Sequence, residues 1–149
     1  MLFRAWISGL MLLCFISPST LGEVRLVDGW TRSPAPGVDR LAIYGRLVNE
    51  GGAPVVLSRW VLAGAAMIMF HETVMVAGQM RMRHLDPIEL SPLKDLVMQP
   101  QGPHLMVVGL ETLPKAGDTL TIDATTSLGE TFTFLVQVQP ITSLGPKLN

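Results

Sequence analysis

All three histidines of this 149-residue chain, and every methionine beyond Met11, fall between Met67 and Met106. Inside that window His71, Met82, His104 and Met106 offer two imidazoles and two thioethers. Imidazole binds copper in either oxidation state, and the soft thioether of methionine selects Cu(I). The single cysteine, Cys14, lies far outside the window. A donor set of this kind, free of thiolate, suits the carriage of cuprous ion outside the cytoplasm.

Strands are the elements that must bring these side chains together. Residues i and i+2 of a strand share a face, so His104 and Met106 project together from His104-Leu105-Met106. On an earlier hairpin His71 shares a face with Met67, Met69 and Thr73, and Met80, Met82 and His84 share one on the returning strand. The turn decides which of these face each other. A two-residue turn at Ala77-Gly78 would pair His71 with His84, but such turns favour Asn-Gly or Gly-X. A four-residue loop from Met75 to Gly78 is therefore expected, and it sets His71 opposite Met82. The packing alternative stands beside this reading. Methionine is a flexible filler of cores, so Met67, Met69, Met80 and Met98 are read as packing residues. His84, which follows Arg81 and Arg83, is read as a solvated surface histidine. For the quartet itself, spacing leaves the ligand and packing roles both open.

Alternation in twos runs through the rest of the chain, with turn signals at short intervals. Strands are expected over 24–30, 40–49, 55–62, 66–74, 79–85, 104–110, 119–125 and 131–138. The less regular stretch from Pro87 to Pro100 has room for two short ones. In the last strand Phe132, Phe134, Val136 and Val138 face one way. With no convincing amphipathic helix, this pattern indicates an all-β sandwich of seven to nine mostly antiparallel strands.

Composition narrows the function. The length suits one domain that folds without staples. Eleven basic against twelve acidic residues leave no basic face for nucleic acid. Arg4, the apolar run from Ala5 to Ile16 and the small residues up to Gly22 have the anatomy of a secretory signal peptide. Residues 1–22 are expected to be cleaved, with a retained anchor as the alternative. Leu13 before Cys14 is too bulky for a typical lipid-attachment box. The copper-binding domain is then 23–140, followed by a short loose tail over 141–149. Loss of Cys14 leaves the mature chain without a disulfide or a thiolate, which excludes a blue-copper electron carrier. Glu72 and Asp86 are isolated acids, no nucleophile-and-base pattern is visible, and two thioethers suit a zinc hydrolase poorly. No enzymatic activity is expected.

The quartet and its context resemble the PCuAC family of periplasmic copper chaperones. Its signature is His, ten residues, Met, twenty-one residues, then His-X-Met, and the gaps from His71 to Met82 and from Met82 to His104 match it. Gly78-Gln79-Met80-Arg81-Met82-Arg83 is similar to the family's Gly-X-Met-X-Met-Arg stretch. Asp28-Gly29-Trp30-Thr31-Arg32 and Ala42-Ile43-Tyr44 are similar to its opening strands, so the likeness spans about residues 24 to 138. Two departures stand out. His84 occupies a place where many members have Pro, and the tail lacks the Met- and His-rich extension with which some members take Cu(II). The resemblance implies a cupredoxin-like fold and one Cu(I) held by His71, Met82, His104 and Met106. An accessible site is expected, since it lets an acceptor's ligands enter before the donor's leave. The resemblance also implies delivery to a copper-accepting protein of the periplasm, either cytochrome c oxidase or an assembly chaperone for it. A sequestering resistance protein could use the same ligands without an acceptor, and a β-sandwich used only for protein contacts would need none of them.

Overall fold

Alternating apolar residues become strands whose inward side chains fill one interior. The computed structural model describes residues 24–146. The expected signal segment with Cys14, and the last three residues, lie outside the described residues. Ten strands follow in order: β1 (Val24–Arg32), β2 (Arg40–Asn49), β3 (Val55–Leu62), β4 (Met67–Val76), β5 (Gln79–His84), β6 (Ile88–Leu90), β7 (Leu96–Met98), β8 (Pro103–Val108), β9 (Thr119–Thr126) and β10 (Thr131–Gln139). The number exceeds the expected seven to nine because both three-residue segments between Pro87 and Pro100 pair, β6 with β3 and β7 with β2. Among the described residues no helix is long and apolar enough to cross a membrane.

The strands form one sheet in the order β5-β4-β8-β2-β1-β10-β9-β3-β6. β1 and β10 run parallel, and the other pairings are antiparallel. β2 is long enough to take β8 along Arg40–Ile43 and β7 along Gly45–Leu47. β3 and β4 come close without pairing, so the sheet curls around its own inner face. Leu41, Ile43 and Leu47 of β2, Ile68 and Phe70 of β4, and Leu105 and Val107 of β8 are buried there with Ile122, Phe134 and Val136. Each such side chain contributes about 1.5–3 kcal/mol on leaving water. The residues between them in sequence, among them His71, His104 and Met106, are thereby sent to the opposite, outer face.

A bulge in β1 shapes that outer face. Val27 pairs with Arg46 and Trp30 with Tyr44, so Asp28 and Gly29 together oppose Gly45. Asp28 takes a positive φ of 52°. A Cβ on Gly29 would stand 2.8 Å from the Leu135 carbonyl oxygen, so only glycine fits. The bulge lays Trp30 against Tyr44, with ring centroids 4.9 Å apart.

The β4–β5 hairpin departs from the expected register. Val76 pairs with Gln79, so Ala77 and Gly78 alone make the turn, with φ of 50° and 77°. His71 therefore faces His84, and Met82 faces Thr73. Glu72 meets an arginine in either register, so charge pairing does not choose between them. The choice is made beyond β5. The Leu85 amide donates to the Phe70 carbonyl, the Phe70 amide donates to the Asp86 carboxylate, and Leu85 packs on the core before the chain crosses to β6. A positive φ at Ala77 costs about 1–2 kcal/mol, and these tertiary contacts together with the favourable twist of the two-residue turn outweigh it.

Candidate metal centre

On the outer face one transverse row of rings crosses five strands, from His84 on β5 through His71 and His104 to Tyr44 on β2 and Trp30 on β1. β4 and β5 set His71 beside His84, and β4 and β8 set His71 beside His104. Ring centroids are 5.6 Å apart for His71 and His84, and 6.2 Å for His71 and His104, both edge-on. Tyr44 lies 6.2 Å beyond His104. Met106 sits one step along β8 from His104 and faces Met69 and Ala42. Met82 stands diagonally from His71. Met82, His104 and Met106 line one pocket of about 280 Å³ with Met80, Thr73 and Tyr44.

The ring spacing fits a shared ion. Two imidazoles on one metal at about 2.0–2.1 Å place their ring centres roughly 5 to 6.5 Å apart, from a tetrahedral to a linear angle. His71 meets that condition with His104, and again with His84. Among the described residues no group of three or more His, Asp or Glu side chains converges on one point. The row thus offers imidazole pairs, and the thioethers of Met82 and Met106 adjoin the first of them.

Each histidine is differently prepared. His104 Nδ1 lies 2.9 Å from the Gly102 carbonyl oxygen, which can only accept. Nδ1 must then carry the proton, and Nε2 keeps its lone pair for a metal. His71 Nδ1 is buried without a hydrogen-bond partner. Burial lowers the His71 pKa, the neighbouring His104 and His84 lower it further, and Asp86 partly opposes them. His71 is held neutral, as a metal ligand must be. Burial also pushes the Tyr44 hydroxyl up, against the pull of Arg32.

Exposure divides the quartet. Met82 is 61% exposed, as expected of an accessible ligand, whereas His104 is only 4% exposed. The expectation of an open site therefore fails at His104, which is buried beside the Tyr44 ring. His71 and Met106 are partly covered.

His84 and Asp86 are joined in a way that sequence spacing concealed. His84 Nε2 lies 3.3 Å from Asp86 Oδ2, and Asp86 Oδ1 is buried without a partner. The alternation Met80, Met82, His84 was the visible signal for His84, but its neighbour across the hairpin depends on the turn.

Topology and site together define an all-β, cupredoxin-like domain carrying a histidine and methionine cluster on the outer face of its sheet. The chain belongs to the LpqE-like family, which matches residues 24–138 and whose description carries the word lipoprotein. No curated protein matches it. Among solved structures it is similar to the copper-bound PCuAC domain from PmoF2, at 24% identity and a TM-score of 0.66 over 80% of this chain and 94% of that one. The apo PmoF2 domain matches at 22% identity and 0.70, covering 83% and 95%. The Cu(I) form of DR1885 from Deinococcus radiodurans matches at 22% and 0.59, covering 85% and 82%. At these identities the likeness is one of fold.

Proposed function

We propose that this protein is an extracytoplasmic Cu(I) chaperone of the PCuAC type, holding one ion through His71, His104, Met82 and Met106. The observation that carries this reading is the direct pairing of His71 with His104 across β4 and β8, beside a pocket lined by both methionines. The copper-bound and Cu(I) states named for the structurally similar PmoF2 and DR1885 domains support the choice of ion. The apolar leader and the family description support a setting outside the cytoplasm, in the periplasm.

All four donors are neutral, so the bound ion keeps its single positive charge. His104, covered and with its tautomer set, anchors the ion. Exposed Met82 is the ligand that an acceptor reaches first. A thiolate of the acceptor binds Cu(I) more strongly than a thioether, which drives transfer forward. The acceptor is a copper-requiring protein of cytochrome c oxidase or of its assembly.

X-ray absorption on the reduced, copper-loaded protein tests the site. Mixed nitrogen and sulfur scattering with one copper per chain is expected, and nitrogen and oxygen alone would overturn the ligand set. Deletion of the gene should lower oxidase activity. Copper sensitivity with normal oxidase activity would mean sequestration instead.

A further inference from the structure

His71 stands between two different neighbourhoods. Toward β8 it meets His104, and Met106 lies one step along that strand from His104. Toward β5 it meets His84, whose Nε2 lies 3.3 Å from a carboxylate oxygen of Asp86. Two donors on one ion at about 2.0–2.1 Å lie roughly 2.8 to 3.4 Å apart at angles of 90° to 110°. The His84–Asp86 separation falls in that range. The 5.6 Å between the His71 and His84 rings also fits a shared ion. Two buried atoms here lack any partner, His71 Nδ1 and Asp86 Oδ1. Buried polar atoms are nearly always bonded, so two orphans in neighbouring side chains call for a ligand or water.

We propose that His71, His84 and Asp86 form a second, harder donor set that takes Cu(II), sharing His71 with the Cu(I) set. Nitrogen and oxygen donors suit Cu(II), and the thioethers suit Cu(I). The side chains do not yet meet at one point. His84 is 54% exposed, so its ring is free to turn and draw them together. This reading shares His71 with the proposed chaperone site but needs neither methionine.

The purified protein is titrated with Cu(II) from a glycine buffer and followed by electron paramagnetic resonance. Cu(I) affinity is measured separately, under reducing conditions, against a competing chelator. One bound Cu(II) with nitrogen coupling is expected. His84→Ala and Asp86→Asn should each weaken Cu(II) binding at least tenfold and leave Cu(I) affinity within about threefold. Met82→Leu with Met106→Leu should do the reverse. Calorimetric melting of the apo variants controls for folding, and His84→Ala decides the matter alone if Asp86→Asn unfolds. The proposal falls if glycine retains all the Cu(II). It falls if His84→Ala leaves affinity and spectrum unchanged, which would make His84–Asp86 a surface ion pair only. It falls also if the methionine and His84 variants weaken both ions alike. Cu(II) binding without Cu(I) binding would remove the chaperone reading and leave this one standing.

Discussion

Sulfur and volume can be separated at Met82 and Met106. Leucine keeps most of the volume of methionine and removes the donor, and such swaps in packed sites cost under about 1.5 kcal/mol. Met82→Leu with Met106→Leu should therefore leave the apo melting curve nearly in place and weaken Cu(I) binding at least tenfold in chelator competition. Unchanged affinity would return both residues to packing. His71 offers a second test at this scale. Its lowered pKa means that the unfolded chain binds the proton first as pH falls below about 6.5. Apo stability referred to this residue should fall on acidification and level off once the folded protein is protonated too. The stability difference between wild type and His71→Gln, from urea melts at pH 7.5 and 5.5, should shift against the wild type at the lower pH. A ring-proton titration by nuclear magnetic resonance should place His71 below the ordinary imidazole midpoint, and a midpoint above it would contradict the assigned burial.

At the scale of elements, the β4–β5 hairpin carries the most consequence. Its turn places Ala77 at φ 50°, where asparagine is better tolerated and Asn-Gly is the favoured pair. Ala77→Asn should stabilise the apo protein by roughly 0.5–1 kcal/mol, within the 1–2 kcal/mol that a left-handed residue costs, and leave Cu(I) affinity unchanged. Destabilisation would mean that the four-residue loop exists in solution. The same hairpin bears the Arg83–Glu72 ion pair, 2.7 Å long and largely exposed. Exposed pairs contribute about 0–1 kcal/mol, so the register rests on Leu85 and Asp86 rather than on this bridge.

For the whole molecule, binding and stability are linked. A ligand that binds the native state alone, at a hundred times its dissociation constant, stabilises it by about 2.7 kcal/mol. For a domain of this size that raises the melting temperature by very roughly 8 to 15 °C. The four proposed Cu(I) ligands come from β4, β5 and β8, so the unfolded chain seldom assembles them. Calorimetry with buffered Cu(I) should show the rise in the wild type, and the double leucine variant should lose most of it. Excess zinc should displace little of the copper, because zinc gains less from thioethers. An equal rise in the leucine variant would move copper elsewhere, toward Met67, Met69 and Met75.

The sequence by itself determined what alternation and donor chemistry can carry. Period-two patterning assigned His71 and His104 to faces opposite the apolar residues beside them, because a strand sends successive side chains to opposite sides. The quartet could be named because imidazoles and thioethers are rare outside Met67–Met106, and the family motif repeats their gaps. Three things were decided only in the tertiary structure. The register of β4 on β5 depends on where Leu85 and Asp86 must dock, a contact beyond the hairpin that local turn preference cannot sense. His104 is buried beside Tyr44, which β2 brings alongside β8 and which a bulge in β1 packs against Trp30. The joining of His84 to Asp86 and His71 follows from that register, since a two-residue shift along β5 would set Met82 against His71 in its place.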